Sequence, residues 1–207
     1  MSNDPWERWS GLYNDRGVMA FVRDGGGHDY EREPRRLLFV LKEPHGTQWT
    51  DAREQLSSPP RGMWHALARW AYGIVKGFPD YSTIGHQQRR WALSRIAIIN
   101  LKKEGGGKNA DRDVISAFAH RDRDILREQI EALAPTMVVA CGADVFTPLV
   151  WLLDVRLPDP RAPLRHGVRI PNSADHAWLL PWRHPAHGGG KKYYGALQEM
   201  VNSLAPS

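Results

Sequence analysis

The sequence predicts an α/β fold in which helices cover both faces of a parallel sheet. Four short apolar runs support this prediction, at residues 37–41, 96–100, 137–141 and 177–182. Continuous apolar runs of this length are typical of strands that are buried on both faces. Segments with helical spacing alternate with the runs, as in parallel sheets. We therefore expect three layers, α/β/α, around a central four-stranded parallel sheet.

Five segments are predicted to be helices from the spacing of their apolar residues. Leu67, Trp70 and Ile74, for example, lie on one helical face between the first two strands. The predicted helices cover residues 6–14, 62–75, 122–133, 143–153 and 192–204. The predicted loops cover residues 24–27, 31–36, 44–60 and 102–108, and residues 154–175 are predicted to be irregular.

Length, composition and charge indicate the class of protein. The chain has 207 residues, of which 42% are hydrophobic, and this predicts one folded domain with a sizeable core. We expect residues 1–36 to form an N-terminal helix and loop and residues 37–204 to form the core of the domain. The formal net charge of +5 permits a polyanionic partner such as nucleic acid.

The single cysteine, Cys141, excludes an internal disulfide, a four-cysteine zinc site and an iron–sulfur cluster. No apolar run approaches the roughly 20 residues that a membrane-spanning helix needs. The N-terminus lacks the pattern of a secretory signal. We therefore expect a cytoplasmic protein with no membrane partner, and we also expect a monomer that needs no cofactor.

The residues that follow the predicted strands form a candidate site. In open parallel sheets, ligands bind beyond the carboxyl ends of the strands. Glu43 follows the first strand, Asn100 ends the second, Asp144 follows the third and His184 follows the fourth. Carboxylate, amide and imidazole groups at one edge of a sheet are suited to acid–base chemistry on a bound ligand.

The order of these motifs resembles the uracil-DNA glycosylase superfamily. That family has an acid–Pro motif after its first strand, an asparagine after its second and a His–Pro motif after its fourth. The matching residues here are Glu43-Pro44, Asn100 and His184-Pro185, and the turn at Cys141-Gly142 is similar to the family's small-residue turn. The resemblance covers residues 37–204. It implies the family's fold and a monofunctional DNA glycosylase, which hydrolyses the N-glycosidic bond of a flipped-out base and leaves an abasic site.

Two positions depart from the commonest family pattern. Glu43 stands where most members have aspartate. His45 stands where members strict for uracil have a tyrosine that excludes substituents at pyrimidine C5. The second departure favours a C5-modified cytosine, as in the hypermodified DNA of some bacteriophages, and hence a role in antiviral defence. Excision of uracil in DNA repair is the alternative.

The resemblance implies a role for each residue of the site. Cleavage of a glycosidic bond passes through an oxocarbenium-like sugar and an anionic leaving base. Glu43 would position the water and stabilise the sugar cation, and His184 would donate a hydrogen bond to the base. Asn100 would read the base edge. The flipped base also needs an aromatic ring to stack on, for which the candidates are Trp64 and Trp49.

Two basic, glycine-rich loops are predicted to contact DNA, because glycines allow close approach to phosphates. The predicted DNA contacts are Lys102, Lys103, Lys108, His187, Gly189, Lys191 and Lys192.

Other interpretations remain open at this point. Glu43 could pair with Lys42, Asn100 and His184 could stabilise local turns, and Trp64 could belong to the core. Glu43 with His184 and His187 could also serve a metal-dependent hydrolase, although the two histidines do not share a helix face. A non-catalytic nucleic-acid-binding module and a nucleotide-handling enzyme are further alternatives.

Overall fold

The computed structural model describes residues 5–17, 21–46, 50–58, 60–107, 110–157, 166–171 and 177–204. Its α-helices are α1 (Pro5–Asp15), α2 (Glu54–Ser57), α3 (Trp64–Lys76), α4 (His86–Leu93), α5 (Arg112–Arg121), α6 (Arg123–Leu133), α7 (Ala143–Leu152) and α8 (Lys191–Asn202). Its strands are β1 (Gly25–Gly26), β2 (Leu37–Leu41), β3 (Ile96–Asn100), β4 (Met137–Cys141), β5 (Val168–Arg169) and β6 (Trp178–Trp182). None of these helices is long and apolar enough to cross a lipid bilayer.

The strands form one mixed sheet in the order β1-β3-β2-β4-β6-β5. Strands β3, β2, β4 and β6 pair in parallel, and the two-residue strands β1 and β5 pair antiparallel at the edges. The predicted α/β class is confirmed, but the sheet has six strands instead of four. The loop prediction for residues 24–27 is wrong at β1, because two glycines join the sheet through their backbone without an apolar pattern.

Helices cover both faces of the sheet. Leu38 and Val40 of β2 pack with apolar residues of α1, α5, α6 and α7, whereas Leu37 and Phe39 pack with those of α3, α4 and α8. This division follows from the alternation of side chains along a strand. All residues of β2, β3 and β4 are buried, as their continuous apolar runs predict.

The predicted helices are confirmed within two residues at each end, and α7 includes Pro148 in its interior. Helices α2, α4 and α5 were not predicted. Helix α5 begins after Asp111, whose carboxylate accepts hydrogen bonds from the backbone N–H groups of Asp113 at 2.8 Å and Val114 at 3.2 Å. This is a common N-cap arrangement, but α5 has only two buried residues, Ile115 and Ala119, and so a weak apolar pattern.

The register of the parallel strands places their carboxyl ends at one edge. Leu41 of β2 is paired with Asn100 of β3, and Cys141 of β4 is paired with Trp182 of β6. The Gly142 N–H donates to the Trp182 carbonyl at 2.7 Å, which keeps the turn after β4 beside the end of β6. We call this side of the sheet the carboxyl edge.

Candidate functional site

The carboxyl edge brings the ends of four strands next to one another in the order β3, β2, β4, β6. Asn100 and Glu43 lie at the ends of neighbouring strands, while His184 follows β6 on the far side of β4. Because neighbouring strands are about 4.8 Å apart, the backbones that carry Glu43 and His184 are separated by two strand spacings.

Glu43 forms an ion pair with Lys102. Its Oε2 atom lies 2.6 Å from Lys102 Nζ, and the side chains of Lys102 and Glu43 are only 11% and 8% exposed. The ammonium also lies 3.5 Å from the Gly105 carbonyl oxygen. Lys102 is thus paired with Glu43 in this structure, and its contact with a DNA phosphate stays a prediction that requires this ion pair to open. Glu43 has an ion-pair partner, as one interpretation allowed, but the partner is not Lys42.

The glycine-rich loop, residues 102–107, covers the Glu43 carboxylate. The Gly106 N–H donates to the Pro44 carbonyl at 2.9 Å, and the Gly46 N–H donates to the Gly106 carbonyl at 3.0 Å. A Cβ atom at position 106 would overlap the Glu43 carboxylate. Glycine is therefore required at position 106 for this close approach of backbone to side chain.

Asn100 is held by a buried carboxylate that the sequence analysis did not identify. Asp24 Oδ2 accepts hydrogen bonds from the Asn100 backbone N–H at 2.8 Å and from Asn100 Nδ2 at 3.3 Å. An ionised carboxylate only accepts hydrogen bonds, so the amide nitrogen of Asn100 must face Asp24. This contact orients the amide and leaves its carbonyl oxygen and second N–H for other partners.

Asp24 is in turn bonded to Lys103 and Gln129. Lys103 Nζ lies 2.8 and 2.9 Å from the two Asp24 oxygens and 2.9 Å from Gln129 Oε1. Gln129 Nε2 donates to Asp24 Oδ1 at 2.8 Å. The Lys103 and Asp24 side chains are 0% exposed. Burial lowers the pKa of the Lys103 ammonium, and the Asp24 charge opposes that shift.

The predicted phosphate contact of Lys103 is therefore wrong, because its ammonium has no access to solvent. The signal for this network is weak in the sequence. Gln129 is a polar residue on the buried face of α6, between Leu126 and Ile130. Such a position predicts a buried hydrogen-bond partner, but it does not indicate that the partner is Asp24.

A second ion pair joins the end of β2 to the start of α7. Lys42 Nζ lies 2.6 Å from Asp144 Oδ2, and the two side chains are about one quarter exposed, at 24% and 28%. Lys42 and Glu43 are consecutive residues with separate partners, so two ion pairs lie at this part of the carboxyl edge.

The His184 ring is held in one tautomer by the turn at Pro185–His187. Its Nδ1 atom accepts a hydrogen bond from the Ala186 backbone N–H at 3.3 Å. In the neutral ring the proton must therefore lie on Nε2. Burial, followed by the positive charge of Lys42 and the proximity of His187, lowers the pKa of His184. At neutral pH the side chain is thus an uncharged imidazole with an Nε2–H donor.

One cavity adjoins the carboxyl edge, and a second adjoins the hydrogen-bonded group of Asp24, Lys103 and Gln129. The larger, of about 760 Å³, lies between α7 and α8 and reaches Gly142 and Arg183. The smaller, of about 370 Å³, is lined by residues that include Asp24 and Gln129. Neither cavity is lined by Glu43, Asn100 or His184. Beside Glu43, the space is occupied by the Lys102 ammonium and the backbone of the glycine-rich loop.

The predicted base-binding residues have different surroundings. His45 is exposed, and its backbone pairs with Gly106 of the glycine-rich loop. Trp64 begins α3, is half-buried and packs against the core on that side of the sheet, which agrees with its interpretation as a core residue. Trp49 lies outside the described residues, as does Lys108 of the predicted DNA contacts.

The remaining predicted DNA contacts follow His184 along the chain. His187 is exposed, with its ring centroid 6.2 Å from that of His184. Gly189, Lys191 and Lys192 are also exposed, in the loop before α8 and in its first turn. The prediction that these residues contact DNA stays a prediction.

Within the described part of the chain, no three His, Cys, Asp or Glu side chains come together in a group that could hold a metal ion. No protein-family model matches this sequence, and the search of curated proteins finds no relative.

Proposed function

We propose that this protein is a DNA glycosylase that cleaves the N-glycosidic bond of an everted base with Glu43, Asn100 and His184. The observation that carries the proposal is the position of these residues at or just after the carboxyl ends of three parallel strands, β2, β3 and β6, at one edge of the sheet. Their order along the chain is the one that the resemblance to the uracil-DNA glycosylase superfamily implies. The proposal includes that the chain has the fold of the uracil-DNA glycosylase superfamily.

Glu43 is the proposed general base and the partner of the sugar cation. A water activated by its carboxylate attacks the anomeric carbon as the bond to the base breaks, and the carboxylate stabilises the positive charge on the sugar. The electron pair of the broken bond leaves with the base. In this structure Lys102 Nζ lies 2.6 Å from the carboxylate.

His184 is the proposed donor to the leaving base. Negative charge grows on a base oxygen as the bond breaks, and a donor aimed at that oxygen stabilises the transition state. The orientation of the ring supports this role, because the Ala186 N–H occupies Nδ1 and leaves Nε2–H as the donor. The lowered pKa keeps this neutral form dominant at neutral pH.

Asn100 is the proposed reader of the base edge, with Asp24 as its positioning residue. The amide oxygen can accept from a base N–H, and the second amide hydrogen can donate to a base oxygen or ring nitrogen. Asn100 is 2% exposed and Glu43 is covered by Gly106. The proposal therefore requires the glycine-rich loop to move away from Glu43 when DNA binds.

We expect the preferred base to be a cytosine with a substituent at C5. His45 is exposed, and its contact with the glycine-rich loop is made by its backbone, which pairs with Gly106. Its side chain does not have to leave a packed position to admit such a substituent. Uracil is the alternative base within the same mechanism.

The glycine-rich loop over Glu43 favours one competing function, a DNA-binding module without catalysis.

To distinguish the glycosylase from the non-catalytic module, duplex DNA containing either uracil or a C5-modified cytosine is incubated with the protein. Free base is measured by mass spectrometry and abasic sites by alkaline cleavage. We expect release of the modified base, with intact strands before alkali treatment. Release of uracil alone would remove the modified-cytosine preference, and binding of DNA without release of either base would select the non-catalytic module.

A further inference from the structure

Cationic side chains gather on the surface formed by α3 and α4, on the face of the sheet that carries α8. His65 and Arg69 lie one turn apart on α3, and His86 and Arg89 lie on α4. We call these four residues the cationic patch. Desolvation and the positive charges of Arg89, Arg69 and His86 lower the pKa of His65. Desolvation and the charge of Arg69 likewise lower the pKa of Arg89. The charge of Arg69 thus acts on Arg89, and the charges of both arginines favour the uncharged form of His65.

The cationic patch lacks the partners that such groups usually have. Among the residues that the structure describes, no carboxylate oxygen lies within 4.0 Å of a side-chain nitrogen of the patch. Among these described residues, the buried atoms His65 Nδ1, Arg69 Nε and Arg89 Nε also have no hydrogen-bond partner. Like charges in one patch destabilise a fold, and a bound anion would offset their repulsion.

The patch adjoins the loop that follows His184. The Arg69 guanidinium carbon lies 4.9 Å from the centroid of the Tyr81 ring, and the Tyr81 hydroxyl donates to the Gly189 carbonyl at 3.1 Å. Gly189 also lies against α3, because a Cβ atom at this position would be 3.7 Å from Ala66 Cβ. The patch and the glycine-containing loop before α8 thus form one continuous surface.

The other polar contacts of this surface leave the guanidinium groups available. Arg89 donates to the Ile84 carbonyl at a long 3.5 Å. Asp80 precedes Tyr81, but its carboxylate accepts hydrogen bonds from the Ser82 N–H at 2.8 Å and the Ser82 hydroxyl at 2.6 Å.

We infer that the cationic patch binds backbone phosphates of the DNA strand whose base enters the carboxyl edge. Guanidinium groups match the geometry of phosphate oxygens and form charge-assisted hydrogen bonds with them. The continuity of the patch with the loop after His184 places phosphates that flank the everted nucleotide over Arg69 and Arg89. The inference rests on the proposed function for the identity of the polyanion.

The test is the salt dependence of DNA binding by the double variant Arg69→Gln/Arg89→Gln. Binding is measured by fluorescence anisotropy over a series of salt concentrations, with an unmodified duplex that contains no cleavable base. Each lost phosphate contact lowers the slope of log K against log salt by about 0.9. We expect the slope of the double variant to fall by up to about two units relative to the parent.

The matched control is Arg123→Gln/Arg127→Gln, which removes the same charge from α6 on the opposite face of the sheet. Both of these arginines are paired with Asp154, at 2.9 and 2.5 Å, so we expect the slope to stay near that of the parent. An unchanged slope for the patch variant, an equal fall for the control, or no DNA binding by the parent would overturn the inference.

Base release is measured in parallel, so that the inference and the proposed function can fail separately. A parent protein that releases no base but loses slope in the patch variant contradicts the glycosylase and retains the phosphate site. A parent that releases base and shows no change of slope retains the glycosylase and loses the phosphate site.

Discussion

Replacing Asp24 by asparagine is expected to lower the free energy of unfolding by about 3–5 kcal/mol, the range typical of a buried ion pair that loses one partner. Lys103 and Asp24 are both 0% exposed, and their charges are 2.8 Å apart. Asparagine keeps the size of the side chain but removes the charge that balances the buried ammonium. Urea unfolding at neutral pH measures the difference between variant and parent.

Two further variants show whether the buried charge is the cause. Glu131→Gln removes an exposed carboxylate that is paired with Arg127 at 3.0 Å, and we expect a loss of only about 0–1 kcal/mol. The double variant Asp24→Asn/Lys103→Met removes both buried charges and should recover most of the lost stability. A double variant as unstable as Asp24→Asn alone would show that the charge of Lys103 is not responsible.

Replacing Glu43 by glutamine is expected to slow base release by about 10²–10⁴-fold, the usual contribution of a general base. Glutamine is nearly the same shape but can neither accept a proton from water nor balance a sugar cation. The rate is measured under single-turnover conditions with enzyme in excess, on whichever of the two substrates the parent cleaves.

The control for Glu43→Gln is Lys102→Met, since either change breaks the ion pair at 2.6 Å. If the carboxylate itself acts on the water, Lys102→Met retains much more activity than Glu43→Gln at equal fractions of folded protein. Equal losses in the two variants would assign the effect to the broken ion pair and would contradict the role of Glu43 as a base.

The central strands could be predicted because burial on both faces leaves a direct mark on the sequence. The run at Leu37–Leu41 is apolar throughout, and the structure buries every one of its residues. The edge strand Gly25–Gly26 has no such mark, because it contributes only backbone to its pairing with β3. The carboxyl edge followed from the central strands, but the order of the strands, which makes Glu43 and Asn100 neighbours, comes from the structure.

The partners of the site residues could not be predicted, because they depend on contacts between distant segments. Lys42 and Glu43 are adjacent, but each pairs with a residue far along the chain. Lys103 belongs to a basic, glycine-rich segment that is typical of an exposed loop. Its burial results from Asp24, which is 79 positions away.

The most direct test of the proposed site is an experimental structure of the protein bound to a duplex whose target nucleotide resists hydrolysis. We expect an everted base between Asn100 and His184, with the anomeric carbon of its sugar facing Glu43 and the glycine-rich loop displaced. A base in the cavity between α7 and α8, or a duplex bound without an everted base while Gly106 still covers Glu43, would contradict the proposed site.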